Sequence, residues 1–460
     1  MFVPSPAKNQ PNRVKMRMQI RFALTWRRPT DKVFCDHALM FGTSLGGQFE
    51  ALQERGCPMK FLFRNESFSF ETLRTAGFAT YGGADLGEVL TTARLIPNGN
   101  EDAWLKSWRA TADRVANIAE TSLRQGHRVS AREAFFRASN YYRTAEFFRR
   151  RDPANDPEVI RLSDRSRETF VAAAKLLGTP FEIITIPYEN MTLPGYLFMV
   201  DDSGKPRPTV IYNNGFDSTQ EESYVAIGAA ALRRGYNVLT FDGPGQGAAI
   251  RHQKLVFRPD WEAVLSPVID YANTRPEIDS KRLVLFGYSL GAYLVARAAA
   301  FEHRTAALLL DDGIFDFHAA FKKALPAFLL KWIYAGRDHK AIPLMKLKMA
   351  IDTSARWGLN NGVWTFGSRS VAEFVRQTRQ YTLDGIVDSI TTPALVLDAE
   401  NDQFLKGQPE KLHSALKSKS HLVTLTDAEG AGEHCHMGAM SRLHHIIFDW
   451  LDDTLAATMI

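Results

Sequence analysis

A short apolar run, a Gly-x-Ser-x-Gly pentad and a run of small residues follow one another at residues 283–293, which read LVLFGYSLGAY. The pattern predicts a strand that turns directly into a helix, with Ser289 at the corner in a strained backbone conformation. Gly287 and Gly291 leave room for so sharp a turn. The turn would project the Ser289 hydroxyl above the edge of a sheet, at the positive end of a helix. The alternative is a Gly-flanked turn that is only structural.

Eight short apolar runs, most of them separated by helical patterns, indicate a parallel sheet that helices cover on both faces. The predicted strands span residues 181–187, 193–200, 209–212, 237–241, 282–286, 306–310, 394–397 and 422–425. The long interval between the last two parallel neighbours at 306–310 and 394–397 predicts a lid insertion at about 318–390. Its helical patterns lie at residues 321–334, 342–351 and 371–381. The predicted fold class is α/β, with a doubly wound, mostly parallel sheet.

At 460 residues the chain exceeds one ordinary domain. Aromatic residues at helical spacing predict three helices between residues 101 and 177, with a break at Asp152-Pro153. We therefore expect a tail and the start of a cap at 1–80, a helical cap at 81–178, and a catalytic domain with the lid at 179–460. An aromatic stripe of this kind is more typical of packing between helices than of a ligand site.

Composition excludes several classes of protein. Hydrophobic residues make up 45% and charged residues 23% of the chain, as in globular proteins, and no apolar stretch is long enough to span a bilayer. The formal charge of +5 is small and scattered, which argues against a nucleic-acid surface. Cys35, Cys57 and Cys435 are too few for a disulfide framework and favour a cytoplasmic location.

No cofactor or metal site is indicated by spacing. Residues 241–247 read FDGPGQG but lack the Lys-Ser/Thr of a phosphate loop, so we expect a structural turn near the site. His434 and His436 alone make a poor zinc site.

A serine hydroxyl needs a base within hydrogen-bond reach, and that base needs an orienting acid. Two histidines follow the last predicted strand, in the run GAGEHCH at residues 430–436. His434 is the predicted base, because the glycine-rich turn before it can bring the imidazole back over Ser289. The alternative role of His436, which lies nearer the closing helix, is capping or packing.

The acid is predicted at Asp402, in the loop that follows the strand at 394–397. Asp398 and Glu400 of the same loop are weaker candidates, and Asp312, one strand earlier, is the chief rival. A solvated loop charge is the alternative interpretation of Asp402, because loops are normally polar. The order Ser, Asp, His along the chain is the one that this architecture requires.

Two backbone amides are predicted to stabilise an oxyanion. One belongs to Leu290, directly after the nucleophile, and the other to Phe216, in a loop where Gly215 allows close approach of the backbone. The side chains predicted to contact substrate are Asp217, Tyr288, Tyr141 and Tyr142.

Four further segments resemble one family when taken together with the pentad. They read SAREA through ASNYY at residues 130–142, NGFDSTQEE at 214–222, FDGPGQG at 241–247 and GEHCH at 432–436. From about residue 82 to the C-terminus, the chain resembles the α/β-hydrolases that include 2,6-dihydroxypseudooxynicotine hydrolase and the fungal hydrolases that shorten polyketide chains in pigment biosynthesis.

The resemblance implies a serine hydrolase with an N-terminal helical cap and no cofactor, often dimeric, with its base at His434. It implies a small-molecule substrate in which a carbon–carbon bond between two carbonyls, or an ester, is cleaved. Some members carry a further carboxylate beside the nucleophile, and Asp316 is the candidate for it in the segment 311–323.

The leading hypothesis is hydrolysis of a polyketide-like compound through an acyl-enzyme on Ser289. A 1,3-dicarbonyl substrate is chemically reasonable, because the second carbonyl delocalises the charge of the leaving enolate. Two alternatives stay open. One is a non-hydrolytic cyclisation or condensation with His434 as base, and the other is a binding protein whose helical half recruits partners.

Overall fold

A computed structural model describes residues 60–457 of the chain. Residues 1–59, which include Cys35 and Cys57, and residues 458–460 lie outside the described part. Within residues 60–457, no helix combines the length and the apolar character needed to cross a membrane.

A sheet of eight strands organises the described residues. The strands are β1 (Phe181–Tyr188), β2 (Met191–Phe198), β3 (Arg207–Asn213), β4 (Asn237–Phe241), β5 (Ile278–Tyr288), β6 (Ala307–Asp311), β7 (Ala394–Ala399) and β8 (Ser420–Leu425). Their order across the sheet is β1-β2-β4-β3-β5-β6-β7-β8. Strands β3 to β8 run parallel, whereas β1 and β2 pair antiparallel at one edge. Every predicted strand is present, and the mostly parallel sheet is confirmed.

Sixteen helices accompany the sheet in the described residues. They are α1 (Glu66–Gly77), α2 (Leu86–Ala93), α3 (Glu101–Arg124), α4 (Arg128–Glu146), α5 (Pro157–Ala174), α6 (Ala229–Leu232), α7 (Gly247–Gln253), α8 (Glu262–Asn273), α9 (Leu290–Ala299), α10 (His318–Ala324), α11 (Ala327–Tyr334), α12 (Asp338–Ile351), α13 (Thr353–Thr365), α14 (Val371–Gln377), α15 (Gln408–Ala415) and α16 (Met440–Ala457).

The continuous apolar runs of the sequence reflect burial of the sheet on both faces. In β6, Leu309 packs into one hydrophobic core, whereas Leu308 and Leu310 point to a second core. Side chains of a strand alternate between its faces, so a strand covered on both sides needs apolar residues at every position.

The three predicted cap helices correspond to α3, α4 and α5. The side chain of Asn100 caps α3 by accepting a hydrogen bond from Ala103, and Asp156 caps α5 in the same way, ahead of Pro157. Trp104 of α3 is fully buried. Helices α1 and α2 come before this region, in a stretch for which the sequence analysis gave no helix.

Helices α10 to α14 form the insertion between β6 and β7. The single helix predicted at 321–334 is wrong, because α10 and α11 are separate. Leu325 between them is extended, with φ −114° and ψ 138°, as expected for a residue that precedes proline. Pro326 then begins the next helix. Helix α13 was not predicted.

Candidate active site

Ser289 lies at the corner between β5 and α9, with backbone angles φ 56° and ψ −125°. A Cβ atom at Gly287 would lie 2.4 Å from the carbonyl oxygen of Gly291, and one at Gly291 would lie 2.4 Å from that of Asn213. Both distances are far below van der Waals contact. The two glycines are therefore required for this turn, which holds Ser289 in a strained conformation of the kind found at functional sites.

His434 connects Ser289 to a carboxylate. Its Nε2 lies 3.0 Å from Ser289 Oγ, and its Nδ1 lies 2.8 Å from Asp402 Oδ2. The backbone amides of Phe404 and Leu405 donate to Asp402 Oδ1 over 2.6 and 3.0 Å and fix the carboxylate. Residues from three distant parts of the sequence thus form one chain of hydroxyl, imidazole and carboxylate.

A second carboxylate reaches the same imidazole nitrogen. Asp312 Oδ2 lies 2.7 Å from His434 Nδ1 and also accepts a hydrogen bond from the amide of Cys435. Burial and repulsion by Asp402 raise the pKa of Asp312. Burial alone would raise the pKa of Asp402 too, but attraction to His434 and the amide hydrogen bonds hold it below its usual value. The pair therefore favours a charge on Asp402 and a proton on Asp312.

The charge balance also affects the imidazole. Burial opposes the charged form of His434, yet the neighbouring carboxylates outweigh that effect and raise its pKa well above the usual value. A base with a raised pKa is a stronger proton acceptor, but it is protonated over a wider range of pH.

His436, the other histidine of the loop, has a different environment. It is fully buried, its Nδ1 lies 2.9 Å from the carbonyl oxygen of Ala431, and its Nε2 lies 3.2 Å from Asp311 Oδ1. Burial alone would lower the pKa of His436, but the Asp311 carboxylate raises it to about 9. This histidine forms a sealed ion pair.

The other two acids of the loop after β7 are bonded elsewhere. Asp398 accepts a hydrogen bond from the Thr424 hydroxyl over 3.0 Å, and Glu400 accepts one from the amide of Asp427 over 2.7 Å.

Potential metal ligands meet in two groups that linear spacing did not indicate. The groups are Asp312 with His434 and Cys435, and Asp311 with Asp312 and His436. In both groups the imidazoles are already paired with the carboxylates, so these ion pairs account for the proximity.

The two amides predicted for an oxyanion hole flank Ser289. Leu290 begins α9 directly after it, at the positive end of the helix. Gly215 brings the loop after β3 so close that a Cβ atom there would lie 3.1 Å from Ser289 Cβ. The amide of the next residue, Phe216, has no assigned acceptor among residues 60–457.

The turn at 241–247 supports this loop. The side-chain amide of Gln246 donates to the carbonyl oxygens of Asn214 and Gly215, over 2.5 and 3.2 Å. Asp242 accepts hydrogen bonds from the Asn214 side chain and from the Ala248 amide. The turn thus holds the loop after β3 against the elbow.

A cavity of about 490 Å³ is lined by Ser289 and His434. Aromatic and aliphatic side chains form much of its wall, among them Phe70, Phe216, Phe317, Phe321, Trp357 and Leu359. Several of these belong to the lid helices α10 and α13. The lid also contacts the cap, because the ring of Trp357 stacks on Phe147 with 4.5 Å between centroids.

Of the four side chains predicted to contact substrate, two line the cavity, Asp217 and Tyr288. The structure places the other two inside the cap. The hydroxyl of Tyr141 donates to Glu88 over 2.8 Å, and that of Tyr142 donates to Asp113 over 2.7 Å. Neither is part of the cavity wall that the described residues form, and the aromatic stripe packs the cap helices together.

Asp316 is also placed away from the wall. Its carboxylate accepts hydrogen bonds from Lys322 Nζ over 2.9 Å and from the amide of His318 over 3.0 Å. It is not among the described residues that line the cavity, so the structure does not bring it beside Ser289 as a further carboxylate.

Helix α1 supplies site residues that the sequence analysis missed. Glu71 and Arg74 line the cavity and are nine-tenths or more buried. Acid and base three positions apart are typical of an exposed helix face, so local sequence gave no sign of burial. Their partners Asp217 and Glu222 lie in the segment 214–222 that carried the family resemblance.

Comparison with known proteins now adds a family. The sequence profile of the FrsA-like esterases matches residues 96–331. Over 415 residues the chain is 34% identical to the 20-hydroxy-prefusarin hydrolase FUS2 of Gibberella moniliformis, which covers 86% of this chain and 98% of that protein. This chain belongs to the FrsA-like family of α/β-hydrolases. The FrsA-like hydrolase is also 32% identical over 418 residues to the hydrolyase poxO of Penicillium oxalicum, over 86% of this chain and 99% of that one.

A solved structure supports the fold of this FrsA-like hydrolase. The 2,6-dihydroxy-pseudo-oxynicotine hydrolase matches it with a TM-score of 0.67 and 22% identity, over 83% of this chain and 96% of that chain. The prediction of an α/β-hydrolase is confirmed, and the protein is an enzyme of the hydrolase class.

Proposed function

We propose that this FrsA-like hydrolase uses Ser289 as a covalent nucleophile, with His434 as its base and Asp402 as the orienting acid. The observation that carries the proposal is the unbroken contact from Ser289 Oγ through both nitrogens of His434 to Asp402, at the wall of a cavity. Asp312 contributes a second acidic contact to the same imidazole.

The first half of the reaction forms an acyl-enzyme. His434 Nε2 takes the proton of Ser289 as its Oγ attacks a carbonyl carbon, and the resulting oxyanion accepts hydrogen bonds from the amides of Leu290 and Phe216. The tetrahedral intermediate then collapses. The bond to the leaving group breaks, its electron pair leaves as an enolate or an alkoxide, and His434 supplies the proton.

The second half restores the enzyme. His434 takes a proton from water, the water oxygen attacks the acyl carbon, and Ser289 departs with a proton from His434. The net reaction adds one water to the substrate.

The cavity favours a small, largely apolar substrate with a few oxygen atoms. Its volume suits a compound of drug-like size, and its wall is rich in aromatic rings. One relative is named a hydrolase of 20-hydroxy-prefusarin. We therefore propose a polyketide-like secondary metabolite as substrate, cleaved at a carbon–carbon bond between two carbonyls or at an ester.

A fluorophosphonate probe tests the nucleophile. The probe is expected to label the wild type at Ser289, and Ser289→Ala should remove both labelling and turnover. Ser266→Ala, which changes a serine outside the cavity lining, is the control that should label normally. Undiminished turnover by Ser289→Ala would contradict the covalent step. A product with the mass of the substrate, rather than of substrate plus water, would instead favour cyclisation.

The homodimer and the cytoplasmic location stay predictions. Light scattering of the purified chain tests the first, and fractionation of the producing cells tests the second.

A further inference from the structure

One face of α1 borders the candidate site. Ser67, Phe70, Glu71 and Arg74 all line the cavity, at the i, i+3, i+4 and i+7 spacing of a single helix face. The ring of Phe70 lies 6.1 Å from the imidazole of His434, measured between centroids. The helix therefore covers the proposed base directly, and the polar members of this face are exposed to a bound substrate.

Two of these residues belong to a buried network of charges. Arg74 donates to Asp217 over 2.8 Å and to both oxygens of Glu222. Arg143 of α4 lies 2.9 Å from Glu71 and 2.9 Å from Glu222. The network holds three carboxyl groups against two guanidinium groups, so one carboxyl group lacks a matching cation.

Glu71 is the member with spare capacity. Its Oε2 accepts from Arg143, but its Oε1 accepts no hydrogen bond from any described residue and lies 3.5 Å from Arg74 Nη1. A guanidinium has five N–H groups, and the four hydrogen bonds of Arg74 to acids leave one of them on Nη1. A carboxyl oxygen and an N–H thus remain for a ligand at the cavity wall.

The network also stands beside the proposed oxyanion hole. Asp217, which anchors Arg74, directly follows Phe216, and Tyr288, another residue of the wall, directly precedes Ser289. A substrate carbonyl held between Ser289 and the Phe216 amide therefore has the polar end of the cavity as its neighbour. The rest of the wall is mainly apolar.

We propose that protonated Glu71 and Arg74 bind the second carbonyl oxygen of a 1,3-dicarbonyl substrate and stabilise the enolate that leaves when the carbon–carbon bond breaks. The inference rests on the proposed function. As the Ser289 ester forms and the carbon–carbon bond breaks, the electron pair of that bond moves into the leaving group, and its charge collects on the oxygen held by Glu71 and Arg74. The imidazolium of His434 then protonates the enolate carbon.

The protonation state that this role requires fits the surroundings of Glu71. Burial raises the pKa of Glu71 to about 7, even though Arg74 and Arg143 oppose that rise. Asp217 and Glu222 add to it, and the other charged residues of the wall are Lys323, Lys348, Asp352 and His434. At neutral pH the carboxyl group is thus available both as a hydrogen-bond donor and as an anion.

A comparison of two substrate classes tests the inference. Esters of p-nitrophenol release an anion that needs no stabilisation, whereas alkyl and aryl 1,3-diketones such as benzoylacetone release an enolate. Glu71→Leu is expected to lower kcat on the diketones by roughly 100-fold, the cost of one oxyanion donor. Ester turnover and fluorophosphonate labelling should change little.

Glu71→Gln separates hydrogen bonding from ionisation. It keeps an N–H donor, so diketone turnover should be largely rescued. The fall of diketone turnover at alkaline pH, which the wild type should show as Glu71 ionises, should disappear. Glu88→Gln is the control, since Glu88 is a cap carboxylate paired with Arg137 outside the cavity lining, and it should leave the ratio of the two activities unchanged.

Three results would overturn the inference. They are a parallel loss of ester and diketone turnover in Glu71→Leu, an alkaline fall that persists in Glu71→Gln, and a wild type that hydrolyses the esters but cleaves none of the diketones. The last result leaves the serine hydrolase chemistry standing. A wild type without labelling at Ser289 would instead contradict the proposed function itself.

Discussion

His434 and His436 lie two residues apart in one loop, and each is paired with an aspartate at the end of β6, yet they differ in what their other nitrogen reaches. His434 Nε2 faces Ser289 at the cavity wall, whereas His436 is bound to the carbonyl oxygen of Ala431 and is fully enclosed. The difference teaches that an imidazole–carboxylate pair can serve chemistry only where its second nitrogen is open to a nucleophile. The enclosed pair can contribute only to stability.

The largest expected effect separates the two histidines by activity. His434→Gln removes the proposed base and should lower kcat by roughly 10⁴ to 10⁶, in the range known for removal of a triad member. Steady-state kinetics with a p-nitrophenyl ester measure it, and circular dichroism checks the fold. Wild-type turnover by this variant would show that the contact with Ser289 is not used.

The reverse substitution should act on stability. His436→Gln leaves the Asp311 carboxylate buried without its cation, which should lower the free energy of unfolding by roughly 3–5 kcal/mol. Urea denaturation measures the change. His445→Gln, which alters an exposed histidine of α16, is the control and should unfold like the wild type. An equally small change in both variants would mean that the enclosed pair contributes nothing.

The enclosed pair also predicts a dependence of stability on pH. The pKa of His436 is about 9 in the folded protein and near 6.5 in an unfolded chain. Because the folded value is the higher one, the contribution is fully present below about pH 6.5 and is lost as the pH rises through 9. Denaturation midpoints of the wild type should fall across this window more steeply than those of His436→Gln. Parallel curves would contradict the assigned ion pair.

The smallest expected effect sharpens the comparison of the two acids at His434. Asp312→Asn removes one source of negative charge, so the pKa of His434 should fall and the acidic limb of kcat/KM should move to lower pH. Asp402→Asn should cost more in kcat, because Asp402 carries the charge and has the fixed geometry. A larger loss from Asp312→Asn would exchange the roles of the two acids.

Much of the catalytic half was predictable from sequence, because its signals are local. The pentad around Ser289 and the apolar strands each constrain a few consecutive residues. The order of the loops then predicted that Asp402 and His434 would meet at one sheet edge, as they do. The choice between Asp402 and Asp312 was not resolvable, since β6 and β7 are neighbours and both loops reach the same imidazole.

The contribution of the cap was less predictable. Tyr141 and Tyr142 drew attention because large aromatic rings stand out at helical spacing, but that spacing is a packing signal. Glu71 and Arg74 line the cavity without a local signature, because burial of their charges depends on Arg143, Asp217 and Glu222, far away in the sequence.

The most direct test of the central claim is to trap the acyl intermediate. Rapid acid quench of the wild type with an ester or diketone, followed by peptide mass spectrometry, should locate one acyl group on the peptide that contains Ser289. The rival nucleophile is Cys435, whose Sγ lies 3.5 Å from His434 Nε2. An acyl group on Cys435, or sustained turnover with no adduct on Ser289, would contradict the account.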